Sequence, residues 1–168
     1  PSKINIQKAK LSFSSTPLLG YTLPLKKEII DAIKYPPLCP IVGVYESDPL
    51  QKINYLEDKI LQVKARYIYD DKEKSAFSPI SIHILPSSNC SGNTSNNTIR
   101  ISVPEGGELV ERIEIAGRFS NISDFFKIVD QPIGDYDLNV ITGNREYVFR
   151  NDANYNIVNK AESDNLFD

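Results

Sequence analysis

Side chains able to do chemistry are few in this sequence, and their spacing assembles no familiar reaction centre. His83 is the only histidine. One imidazole leaves at most one ring-nitrogen metal ligand or general base, which removes most metal sites and nearly every Ser-His or Cys-His nucleophile pair. It stands in Ile82-His83-Ile84 with no Ser or Cys in a nucleophile context beside it, so a structural histidine is expected rather than a catalytic one. Carboxylates are plentiful but scattered, at Asp70-Asp71, at Asp135 and Asp137, and at Glu111 with Glu114. Paired carboxylates do glycosidase work only when two of them face one bond. Neighbours on a strand face opposite ways, so solvated turns are the expectation here. Glu105-Gly106-Gly107 lacks the spacing of a phosphate-cradling loop and reads as a turn.

Cys39 and Cys90 lie far apart in the chain with no metal-ligand spacing. They are either free thiols of a reducing compartment or a single disulfide of a secreted protein. Four Asn-x-Ser/Thr sequons begin at Asn89, Asn93, Asn96 and Asn121, and three of them fall in one Ser/Asn-rich tract where composition alone produces the pattern. No catalytic, metal or cofactor site is therefore expected. The remaining candidates are contact residues: Tyr67 and Tyr69 on one face of a strand, and Arg112 with Arg118 along another. Tyr and Arg have the interface character that Lys and Glu lack.

Charge narrows the partner. The formal net charge is −3, and the acidic excess is concentrated after residue 97. Duplex nucleic acid or an anionic membrane needs a concentrated basic surface, and Lys8, Lys10, Lys26 and Lys27 are the nearest approach to one. A protein partner is expected, with no nucleic acid and no membrane insertion, since no run reaches the length of a transmembrane helix. The chain contains no Met and starts at Pro1, so it is expected to be part of a longer protein.

The elements that must position these residues follow from periodicity. Leu61, Val63, Ala65, Tyr67 and Tyr69 alternate with Gln62, Lys64 and Arg66, which is the clearest strand in the chain. Ile4 to Phe13 and Ile41 to Tyr45 read as further strands, and Ile80 to Ile84 as a returning one. Pro24 with Leu25, Ile29, Ile30 and Ile33 marks an amphipathic helix, and Asp48-Pro49 with Gln51 a second, covering Leu50, Ile53 and Leu56. Ser87 to Asn97 contains nothing that packs and reads as a linker or loop. Beyond it, the apolar runs Ile99 to Val103 and Leu109 to Ala116 flank Pro104-Glu-Gly-Gly-Glu108 as a hairpin. Ser123 to Val129 then reads as a short helix, with strands at Leu138 to Ile141 and Tyr147 to Phe149.

With those elements in place, the C-terminal part resembles the ubiquitin-like β-grasp superfamily, and UBX domains within it. Ile99-Arg-Ile-Ser-Val-Pro-Glu-Gly-Gly-Glu-Leu-Val110 is similar to the first hairpin and Asn121-Ile-Ser-Asp-Phe-Phe-Lys-Ile-Val129 to the opening of the helix. Leu138 to Asn144 and Asn154 to Ile157 are similar to the third strand and the late loop. The resemblance implies a helix packed across one sheet through Phe125, Ile128 and Val129. Asn139 stands where ubiquitin receptors grip an aliphatic residue, and Thr142-Gly-Asn-Arg145 replaces the UBX loop. Neither ubiquitin-receptor binding nor AAA-ATPase docking is carried over.

The expected fold is α+β and strand-rich: an N-terminal mixed α/β unit over 1–86, a linker at 87–97 and a β-grasp-like unit over 98–168, with an all-β sandwich as the alternative. The expected function is a non-enzymatic protein-interaction or scaffold module, cytoplasmic or nuclear. A secreted or cell-surface β-rich adhesin or ligand-binding domain, with Cys39 and Cys90 bridged, is the second reading. An acid/base hydrolase stands third.

Overall fold

Strict alternation of apolar residues from Leu61 to Tyr69 calls for a strand with one face turned inward. A computed structural model places a strand there. The structure describes residues 34–86, 96–120 and 124–158; from Tyr35 onward these belong to one unit of the chain. Its strands are β1 (Val42–Glu46), β2 (Leu61–Tyr69), β3 (Thr98–Pro104), β4 (Val110–Phe119), β5 (Phe126–Pro132), β6 (Asp137–Asn139) and β7 (Asn144–Phe149). They form two antiparallel sheets, in the orders β1-β3-β7-β6 and β2-β4-β5. Ile99, Ile101, Val103 and Phe149 of the first sheet share one core with Leu61, Val63, Tyr67, Ile113 and Ile115 of the second. Two sheets joined by one such layer of side chains make a sandwich.

The all-β arrangement overturns the expected α+β class and the β-grasp-like unit, and it fits the sandwich alternative. Among the described residues the one helical piece is a 3-10 turn at Ile133–Asp135. The chain does turn at Pro104 to Glu108, where Gly106 takes φ +85°. The flanking strands do not pair with each other, however: β3 bonds to β1 and β7, and β4 to β2 and β5. The turn passes the chain from one sheet to the other. Nor do residues 98–158 share one sheet.

Of the helix expected from Ser123 to Val129, Ser123 lies outside the described residues and the rest is the approach to β5 and its first half, with Gly117 opposite Phe126 and Ile115 opposite Val129. Its apolar residues mimic helical spacing because both faces of this sheet are covered. Ile128 enters the main core, whereas Phe125 joins Phe77, Ala116 and Val158 in a second cluster. The Asp48 helix is a series of turns, and of its expected apolar face only Leu56 is buried. The Ile4 to Phe13 strand and the Pro24 helix lie outside the described residues. Strands on either side of the 87–97 tract pair with one another, β1 with β3 and β2 with β4, so one sandwich draws on both sides of it.

The segment read as a returning strand covers β2 in another way. Backbone N–H groups of Ser75, Ser78, Ser81 and Ile84 donate to the carbonyls of Tyr67, Ala65, Val63 and Leu61 at 2.9, 2.7, 2.8 and 2.9 Å. The Oγ atoms of Ser75, Ser78 and Ser81 accept the N–H groups of Tyr67, Ala65 and Val63 at 3.0, 3.1 and 2.9 Å. Three residues of this strap thus serve two residues of the strand. Serine hydroxyls take the place of main-chain carbonyls.

The strap also carries Phe77 over the side of the sheet away from the main core. There Arg66 donates to both carboxylate oxygens of Glu114 at 2.8 and 3.1 Å, and Lys74 adds a contact of 3.4 Å. Lys64, Arg66 and Glu114 are all buried. The face read as polar is a second, ionic and aromatic, core.

Candidate partner-binding surface

The four expected contact residues divide between the core and the half-buried surface: Tyr67 and Tyr69 are buried, whereas Arg112 and Arg118 are partly exposed. Tyr67 and Tyr69 do share a strand face, but it is the core face: both are buried, and their hydroxyls donate to the carbonyls of Pro104 at 2.8 Å and Tyr35 at 3.0 Å. Burial pushes the Tyr67 hydroxyl above its ordinary range. Arg112 donates from Nε to Asp130 Oδ1 at 2.9 Å and from a terminal nitrogen to the Asp130 carbonyl at 2.7 Å. Arg118 lies 4.8 Å from the Phe125 ring centroid and bonds Gln62 Oε1 at 3.0 Å. Each side chain is engaged within the fold.

The groups weighed for chemistry are equally dispersed. His83 is exposed on the strap, and Cys39 is an exposed free thiol. Glu111 pairs with Lys72, and Glu114 with Arg66. Among the described residues, no three His, Cys, Asp or Glu side chains are grouped as a metal ion would need. No described helix is long and apolar enough to cross a membrane.

One surface that gathers exposed apolar side chains is the connection between β1 and β2. Leu50 is 88% exposed, Ile53 58% and Tyr55 44%. Large side chains in water are ordinary singly; three together on a fixed loop are not. The loop is fixed by side chains that satisfy its backbone. Asn97, fully buried, accepts the Asp48 N–H at 2.7 Å and donates to the carbonyls of Asp48 and Gln51 at 2.8 and 3.1 Å. Asp48 and Asn54 accept the N–H groups of Leu50 and Leu56 at 2.9 and 2.8 Å, the Asx turns that Asp and Asn favour. Asn151 donates to the Tyr55 carbonyl at 2.9 Å.

At the far end of the loop, Tyr45 donates to the Lys59 carbonyl at 2.6 Å, and burial pushes its hydroxyl up to about 12. Leu56 is the plug that ties this loop to the core. With Leu56 inside and the turns set by Asp48 and Asn54, Leu50 and Ile53 have no route inward.

These residues border a cleft of about 450 Å³, lined by Leu50, Gln51, Ile53, Tyr55, Arg150 and Asp152 among others. Arg150 reaches Asp48 Oδ2 at 3.3 Å. The Leu50 N–H, and then Arg150, hold the Asp48 carboxyl below its ordinary value. Gln51 donates through Nε2 to the Ile53 carbonyl at 3.0 Å, while its Oε1 is enclosed with no donor. The cleft therefore offers apolar contact and charges of both signs. That mixture suits a peptide segment better than a uniformly charged or wholly apolar ligand.

The sequence did contain a signal for this loop. Asp48 and Asn54 are turn formers on either side of Leu50 and Ile53, but the Asp-Pro opening with Gln51 is equally a helix start.

Comparison with known proteins finds no matching family model, no matching curated protein and no matching solved structure.

Proposed function

We propose that this chain is a non-enzymatic protein-interaction module that engages a partner segment through the 48–55 loop and its cleft. The observation that carries the reading is the pairing of exposure with rigidity: Leu50 and Ile53 stand in water on a backbone that Asn97, Asp48 and Asn54 hold in place. Preset apolar anchors bind with little ordering cost, which is how interface hot spots work. Cys90, the other half of the alternative disulfide, lies outside the described residues, and a cytoplasmic or nuclear setting is part of this proposal.

A photo-crosslinking residue at Ile53, compared in native lysate with the same residue at Ile82, tests the reading. Ile82 is the same residue type and more exposed but lies on the strap. The expected result is a discrete adduct from position 53, none from 82, and loss of the first when Leu50→Asp is added to a chain with an unchanged circular dichroism spectrum. An adduct indifferent to Leu50→Asp, or none at all, removes the loop from the role.

A further inference from the structure

A second set of aliphatic side chains stands in water where β6 turns into β7. Val140 is 84% and Ile141 92% exposed, with Leu138 beside them. A loose loop would make that exposure unremarked, but this turn is built. Asn139 accepts through Oδ1 the N–H groups of Ile141 at 3.1 Å and Thr142 at 3.2 Å, and its carbonyl accepts that of Gly143 at 2.8 Å. Thr142 Oγ1 accepts the Asn144 N–H at 3.3 Å. Gly143 supplies the φ of +70° that closes the turn.

The Asn139 amide is itself anchored, donating to Glu146 at 2.7 Å, and Glu146 is gripped by Arg100 at 3.0 Å. On the neighbouring strand Asn144 bonds Ser102 at 3.1 Å, and Arg145 pairs with Glu105. Two β-branched residues are therefore held outward in one geometry.

The surroundings have one dominant sign. Glu146 is paired with Arg100 and Arg145 with Glu105, which leaves the carboxylates of Asp135 and Asp137, on the hairpin or just before it, as the uncancelled charge. We infer that the β6–β7 hairpin tip is a docking knob for a protein partner that presents an apolar pocket rimmed by Lys or Arg. Val140 and Ile141 fill the pocket, and Asp135 and Asp137 meet its rim. The same carboxylates oppose an anionic membrane. The tip is also separate from the cleft, because Asn144 opens β7 and Arg150 follows its last residue, Phe149, and the strand between them is about 20 Å long at ~3.3 Å per residue.

The test is a photo-crosslinking residue at Val140 in the full chain, in native lysate, with the adduct's partner peptide sequenced and the purified partner then titrated against the chain. The expected partner site is apolar with flanking Lys or Arg. Its affinity falls with added salt, drops about tenfold or more with Ile141→Asp and several-fold with Asp137→Lys. It is unchanged by Leu50→Asp, which separates this knob from the cleft. Several outcomes overturn the inference: no discrete adduct, an adduct with a second copy of this chain, or an affinity indifferent to salt or to Ile141→Asp. So does Ile141-dependent binding to phosphatidylcholine vesicles, which would make the tip a lipid anchor. Because Ile141 makes almost no contact with its own fold, its variants are expected to fold, and Ile141→Thr, expected to weaken binding less than Asp, checks this.

Discussion

The Lys64 ammonium lies 4.1 Å from the centroid of the Phe125 ring, although Lys64 belongs to β2 and Phe125 to the approach to β5. The same nitrogen is 4.6 Å from the Phe77 centroid. Arg66 stands 4.4 Å from Phe77 and Arg118 4.8 Å from Phe125. Three cations and two rings thus alternate across the buried side of the sheet. Phe125→Ala is expected to cost about 3–5 kcal/mol, since it both opens a cavity and removes a ring face from two cations. Phe125→Leu keeps most of the volume and should cost about 1–3 kcal/mol. Urea unfolding of the two variants measures the difference, and a loss below about 1 kcal/mol for Ala would place the ring outside the core.

Glu114 is the carboxylate that makes the neighbouring arginine tolerable in this interior. Glu114→Ala leaves Arg66 buried beside Lys74 without its counter-charge, and about 3–5 kcal/mol should be lost. Adding Arg66→Met to that variant should recover part of the loss. If the double variant is less stable than the single one in denaturant titration, the pair is not what holds this face together.

Serine-to-alanine changes in the strap test its bonding directly. Ser78→Ala removes the acceptor of the Ala65 N–H in a site closed to water and should cost about 1–3 kcal/mol. Hydrogen exchange at the Ala65 amide should accelerate more than at Val63, whose acceptor is Ser81. Equal acceleration at both amides would mean that the strap detaches as one piece.

Glu146 gives the hairpin a pH signature. The Asn139 amide, and then Arg100, hold its carboxyl below the ordinary 4.5. A depressed carboxylate contributes stability that is fully present above its unfolded-state value and is lost as pH falls through the folded one. Asn139→Ala should therefore move the Glu146 midpoint upward toward 4.5, as followed by carboxyl-carbon NMR. A midpoint that stays put would show that Arg100 alone sets it.

Where one face of a strand alternates cleanly, the sequence was readable. Leu61 to Tyr69 emerges as β2 with the expected inward row, and Ile41 to Tyr45 falls one residue from β1. Reading failed where a second layer covers the outer face. Phe125, Phe126, Ile128 and Val129 carry apolar groups toward both sides, so no two-residue period survives and a helical one is imitated. Gln62, Lys64 and Arg66 have the composition of a solvated face, and only Phe77 and Glu114, distant in sequence, bury them. Tyr67 and Tyr69 share one face as their spacing predicts, yet which face meets a partner depends on the opposing sheet. At the Gly106 turn, local residues determine that the chain reverses; they do not determine which strand it pairs with next.

The serine strap has a consequence for how this protein behaves among copies of itself. An ordinary strand laid on β2 would satisfy it and then present its own unpaired row about 4.8 Å further out, open to a neighbouring chain. The strap presents no regular row of that kind, because three of its residues span two of the strand. Each hydroxyl that accepts from β2 also donates onward, Ser75 to the Ala76 carbonyl, Ser78 to that of Pro79 and Ser81 to that of Ile82, at 2.7, 3.0 and 2.9 Å. The position after Ser78 is a proline, which has no N–H to offer. It is tolerated because only every third residue bonds to the strand. The sheet is therefore terminated rather than extended: a nine-residue, fully buried strand, the kind most prone to template aggregation, ends in a border that a second molecule cannot copy.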